Sequence, residues 1–241
     1  GGYGLGGRPH FVLAELTRFE SGPDYQVLIA GREWARDLTA LPGASLGNTI
    51  LVRSDALRRW IWERVQEWEW QRPDNPLGQA LAYFDFEGDP EGSLEALLEQ
   101  ETATVLSHEI GEVLAERRLG PEWAEMLNDL PRSPAELVAR AVRDHLADCL
   151  STLPQLLERA QPAGLHFYFG NLSGMRRKLF PSLLAAYRDW RRTQEPSGLT
   201  RAIRAGVRHW QSVGEEILAL HRHHGLAGIE QIGDLSEQRA L

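Results

Sequence analysis

Leu57, Ile61, Val65 and Trp68 recur at helical spacing between Ser54 and Pro73, so the apolar pattern predicts an amphipathic helix there, with Ser54 able to cap it. Trp60, Trp62, Trp68 and Trp70 crowd that helix. One face cannot bury them all, which predicts a helix enclosed on two sides or set against a partner. A second, longer helical pattern opens at Ser93 and runs to Leu119, where Gly120-Pro121 stops it. A short helix is predicted over 122–129. Ser133-Pro134-Ala135-Glu136 then gives an N-cap serine, a proline at the first helical position and a glutamate at the third. The helix it starts is expected to run toward Ala160 with a bend at Pro154. Leu165 to Gly170 is short, apolar and aromatic and reads as an extended segment among helices. Helical patterns return over 181–192 and 199–224, with a short tail helix beyond Gly228.

The first 52 residues differ. Their short apolar runs, Phe11-Val12-Leu13 and Val27-Leu28-Ile29-Ala30, suit strands or helical turns equally. The expected fold class is therefore mainly α: a multi-helix, bundle-like domain over 53–225, a small irregular or α/β N-terminal portion over 1–52, and a C-terminal tail over 226–241. Glycines at 1, 2, 4, 6 and 7 superficially resemble a phosphate loop, but the strand, helix and lysine of such a loop do not accompany them. A flexible terminus is expected instead. The acidic stretch from Tyr83 to Gly92 contains Pro90 and lacks the ligand order of a calcium loop, so it reads as an ordinary loop.

Composition narrows the function classes. A chain of 241 residues, 42% of them apolar, can bury a sizeable core. Its net charge of −8 excludes a generally basic nucleic-acid binder, and no apolar run approaches the ~18 residues of a membrane span. A soluble protein without a membrane or nucleic-acid partner is expected. Cys149 is the single cysteine and cannot close an internal disulfide, which points to a cytoplasmic setting. Between Met175 and Arg208, nine basic residues face only Asp189 and Glu195. Within this stretch Arg176, Arg177 and Lys178 follow Gly170-Asn171-Leu172-Ser173-Gly174 and form a candidate site for a small anionic substrate.

The densest chemistry lies in His108-Glu109-Ile110-Gly111-Glu112, with Glu101 upstream and Asp144-His145-Leu146-Ala147-Asp148 downstream. At 100° per residue, Glu101, His108 and Glu112 fall within about 40° of one another on a helix. An imidazole and a carboxylate four residues apart can reach one ion. Two helices joined by about a dozen residues can lie antiparallel, which brings the second cluster within reach. His108, Glu112, His145 and Asp148 are the leading ligands for a divalent ion such as zinc, manganese or iron. Glu101 and Asp144 are possible additions, Asp144 as a group that orients an imidazole. Compared with the HExxH arrangement of zinc peptidases, Glu112 stands where the second histidine would be, leaving Glu109 as the candidate general base. The Glu101-to-His108 spacing resembles that of di-iron proteins of the haem-oxygenase-like fold, and His-Glu-Ile-Gly resembles the His-Asp step of HD-type phosphohydrolases; each likeness spans fewer than ten residues. The expected activity is metal-dependent hydrolysis of a small anionic substrate. Alternatives are an iron-dependent oxidase with His/carboxylate ligands, and a non-enzymatic interaction module or homodimer built on the tryptophan-rich helix. His221-Arg222-His223-His224 reads as a cationic last helical turn before Gly225, and His166 as a core histidine.

Overall fold

The computed structural model describes residues 2–3, 9–37 and 41–241, so most of the glycine-rich start lies outside the described residues. The chain divides into two compact units, residues 1–109 with 161–170 and residues 110–160 with 171–241. The division falls inside one continuous helix.

In the first unit, β1 (Gly2–Tyr3) pairs with β2 (Pro9–His10). A four-stranded sheet follows, built from β3 (Val12–Ser21), β4 (Gln26–Arg36), β5 (Gly43–Leu46) and β6 (Thr49–Arg53) in the order β3-β4-β6-β5. β4 and β6 run parallel, and the outer pairs run antiparallel. Val27 and Ile29 of β4 with Ile50 and Val52 of β6 alternate inward and are buried, the period expected of a half-covered sheet. Strands thus take up the apolar runs that could equally have been helical turns. α1 (Ser54–Gln71) starts directly from β6, with Arg53 in the cap position and Ser54 already helical, so the serine does not cap. α2 (Pro76–Leu81) is capped by Asn75, whose side chain accepts from the Gly78 N–H.

α3 (Pro90–Leu119) begins three residues before Ser93. Asp89 accepts the Gly92 N–H and Pro90 occupies the first turn, a start that the acidity of the preceding loop hid. The core of this unit joins Leu57, Ile61 and Val65 of α1 to Leu77 and Leu81 of α2, to Leu94 and Leu97 of α3 and to Phe167. Phe167 belongs to α7 (Pro162–Asn171), which corrects the extended segment expected at 165–170. Residues 163–169 are all buried, and a helix apolar on every side shows no periodicity to read. Trp60 meets Phe167 edge-on at 5.7 Å, while Trp62 and Trp70 stay exposed.

The second unit contains the end of α3, α4 (Glu122–Asp129), α5 (Pro134–Ala147), α6 (Leu153–Glu158), α8 (Gly174–Leu179), α9 (Pro181–Thr193), α10 (Ser197–His224) and α11 (Ile229–Gln238). Ser133 caps α5 through the Glu136 N–H at 3.3 Å. α5 is the central rod: Ala135, Val138, Ala139, Val142 and Leu146 are buried, and α10 and α11 pack on it. In place of a simple bend at Pro154, a π-turn over Asp148–Thr152 joins α5 to α6, with the Leu153 N–H donating to the Asp148 carbonyl. Across from α5, Gly111 of α3 is pressed against Ala147. A Cβ there would lie 2.8 Å from the Ala147 carbonyl carbon and 3.1 Å from its Cα.

Alanine in place of an ordinary mid-helix glycine stabilises a helix by up to ~1 kcal/mol. Here the added methyl meets backbone that cannot rotate away, so Gly111→Ala is expected to destabilise by about 1–3 kcal/mol. A lowered urea midpoint with unchanged slope is the expected result, and a raised midpoint would refute this packing.

Candidate metal centre

His108 and Glu112 stand one turn apart on α3, and the Gly111–Ala147 contact brings α5 close beside the same turn. Among the described residues, His108, Glu112 and Asp144 each offer a ligand atom, and these atoms all lie within 4.8 Å of one another. Glu112 is buried and the other two are half-buried.

Arg143 bridges the carboxylates. Its Nη2 donates to Glu112 Oε1 at 2.5 Å and to Asp144 Oδ1 at 3.1 Å, and its Nε reaches Asp144 Oδ1 at 3.3 Å. Burial opposes the guanidinium charge, but Glu112, Asp144 and Glu116 outweigh it and hold its pKa above the ordinary arginine value. Glu116 lies one further turn along α3. Burial pushes its pKa up, with a smaller push from Glu112, against the pull of Arg143. Three carboxylates therefore act on the one Arg143 guanidinium. Arg143 escaped the sequence reading. Its nearness to the site was visible only as an immediate neighbour of Asp144.

Glu101 is buried on α3, and Gln100 Nε2 donates to it at 3.1 Å. Seven residues, about 10 Å of helix rise, separate it from His108. Glu109 is also buried, and its carboxylate lies beneath the Cα of Gly43 in β5, beside Val105.

His145 and Asp148, favoured as ligands from the sequence, serve a different set of contacts. His145 is fully buried, and its Nε2 lies 2.8 Å from the Arg176 carbonyl, which can only accept; Nε2 therefore carries the proton. Its ring stacks on Trp210 at 5.0 Å and meets Phe180 edge-on at 5.2 Å. Nδ1 is buried and has no hydrogen-bond partner among the described residues. Burial, reinforced by the Arg176 charge, pulls the His145 pKa down to about 3, so the ring is neutral at pH 7. Asp148 is equally buried and is paired with Arg176. The sequence spacing placed these side chains at the shared site; the structure brings Asp144 there instead, because α5 presents Asp144 toward α3 and His145, 100° away, toward α8 and α10.

Arg176 therefore already has a carboxylate partner, and Lys178 reaches Ser236 Oγ at 3.2 Å and Glu237 Oε1 at 3.4 Å. Arg177 is exposed. His166 is buried on α7, with the Tyr83 ring tilted against it at 6.1 Å, as expected of a core histidine. His221, His223 and His224 end α10 before Gly225, whose φ of +53° breaks the helix. No helix among the described residues is long and apolar enough to cross a membrane.

Comparison with known protein families gives two adjoining matches. Residues 1–53 match the N-terminal domain, and residues 58–239 the C-terminal domain, of a family of unknown function, DUF6866. The break between them falls at the start of α1. No curated protein and no solved structure matches the chain.

Because His145 folds neutral with a lowered pKa, its effect on stability is nil above the unfolded value of ~6.5 and turns unfavourable as pH falls toward 3. The slope approaches ~1.4 kcal/mol per pH unit inside that window. His145→Gln is expected to be less stable at pH 7.5 but to lose this acid slope. Denaturant titrations from pH 7.5 to 4 measure both effects, and an unchanged slope in the variant would refute the assignment.

Proposed function

The chain belongs to the DUF6866 family, and we propose that it binds one divalent transition-metal ion through His108, Glu112 and Asp144 and uses it to hydrolyse a small anionic substrate. The observation that carries this reading is the convergence of one imidazole and two carboxylates from two packed helices to within 4.8 Å. Three protein ligands leave a coordination position for water, the arrangement by which catalytic ions lower the pKa of a bound water toward neutrality. Mixed nitrogen and oxygen donors suit zinc, manganese or iron. One histidine with two carboxylates departs from the two-histidine facial triad of iron oxygenases, which places hydrolysis before oxidation.

Arg143 acts here as a resident cation. An incoming ion must displace it from Glu112 and Asp144, after which its guanidinium is free to meet the substrate anion. Glu116 is the proton acceptor in this scheme, because burial raises its pKa toward the working range of a general base. Glu109, the base expected from sequence, lies against Gly43. The buried Cys149 thiol suits a reducing, cytoplasmic setting. A second reading, an interaction module or homodimer, draws on Trp70 at 88% and Trp62 at 41% exposure.

The test is thermal unfolding of tag-free, chelator-treated protein with zinc, manganese or ferrous iron. At a hundredfold excess over Kd an ion adds ~2.7 kcal/mol, or about 5–10 °C. His108→Ala is expected to abolish the shift. Arg143→Gln is expected to lower the metal-free midpoint, because Glu112 loses its buried partner, and to enlarge the shift. Absence of a shift in both the native protein and Arg143→Gln would overturn metal binding. Metal binding without turnover of aryl phosphate or carboxylate esters would overturn hydrolysis alone.

A further inference from the structure

Where the end of α1 meets α2 and the turn after it, a half-open cavity of about 240 Å³ lies within the first unit. Three aromatic rings line it: Trp68, Phe84 and Phe86, all partly buried against the apolar core. Trp68 is held from two directions. Its Nε1 donates to the Pro73 carbonyl at 3.0 Å, and the indole lies so close to Gly78 that a Cβ there would stand 2.5 Å from Nε1 and 2.8 Å from Cε2. Phe84 and Phe86 brace each other edge-on at 6.1 Å.

The same cavity is lined by Glu69, Asp85, Glu87 and Arg72. Arg72 is joined to Glu87 at 3.2 Å, so these two charges answer each other. Glu69 accepts from Gln66 Nε2, and Asp85 accepts from the Gly88 backbone N–H. Both donors are neutral. The cavity thus keeps two negative charges beside three aromatic rings, a combination that attracts cations through ring quadrupole and Coulomb field together. An anion would meet repulsion, and a neutral guest would forgo both attractions. At roughly 30 Å³ per water-sized group, the volume admits about eight non-hydrogen atoms.

We propose that this cavity binds a small organic cation, an ammonium compound of choline's size, at a site separate from the metal centre. The experiment uses the full chain, with choline as probe. Its neutral isostere, in which a quaternary carbon replaces the nitrogen, serves as the comparison. Heteronuclear NMR follows the Trp68 indole N–H resonance, assigned by its loss in Trp68→Phe, and calorimetry gives the affinities. The expected result is saturable binding of choline at least about tenfold tighter than the isostere and weakened by added salt. The double variant Glu69→Gln, Asp85→Asn is expected to weaken choline about tenfold. Both replacements keep an acceptor for Gln66 and for the Gly88 N–H, and an unchanged indole spectrum without ligand verifies the fold. His108→Ala is expected to bind choline as the native protein does, so failure of the metal reading leaves this one standing. Equal affinity for the isostere, an unaltered affinity in the double variant, or no saturable shift up to ~100 mM choline would each overturn the proposal.

Discussion

The contact between Gly111 of α3 and the backbone at Ala147 of α5 is the constraint from which the candidate centre follows. A helix pair with side chains at its crossing sits ~8–10 Å apart, and a glycine lets the backbones come closer. At that separation Glu112 and Asp144 share one space, and two carboxylates so placed favour a cation between them. Arg143 provides it from within α5. The glycine in the histidine-glutamate motif is therefore a packing residue, and the chemistry beside it is a product of that packing.

Two networks in the second unit treat buried charge differently. Around Arg143 the carboxylates outnumber the guanidinium, and burial leaves Glu116 with a raised pKa. Around the π-turn the charges are matched, Asp148 to Arg176, while His145 is kept neutral by its surroundings of Phe180 and Trp210. An ion pair in the interior gains little over apolar packing, yet losing one partner costs about 3–5 kcal/mol. The second network therefore fixes α8 against α5, whereas the first gathers Glu112, Asp144 and Glu116 about the Arg143 guanidinium.

The long amphipathic helices were legible because their caps and periods agree, as at Ser133-Pro134 and at Gly225. α7 was not, because burial on every side erases its period, and the start of α3 was masked by Asp85, Glu87 and Asp89 in the preceding turn. Sequence spacing brought out His108, Glu112 and Asp144 as candidates. It favours His145 and Asp148 over Asp144, whereas the placement depends on how α5 is rotated about its own axis, which the neighbouring helices set. Nor could it find Arg143 or the pairing of Asp148 with Arg176, whose partners lie 31 and 28 positions away.

The widened turn from Asp148 to Thr152 gives this chain a sense of its own length. One surplus residue is accommodated there without breaking the rod, and Cys149 and Thr152 are drawn inward as a result. Gly206 of α10 packs against the Cys149 thiol and the Phe180 ring, where a Cβ would stand 2.6 Å from Sγ and 2.8 Å from Cζ. A shortening of the chain by one position inside this stretch would return it to ordinary α-helical winding and leave Leu153 and Leu156 on the interior. A further insertion has no second wide turn to absorb it and would rotate the helix that follows by about 100°.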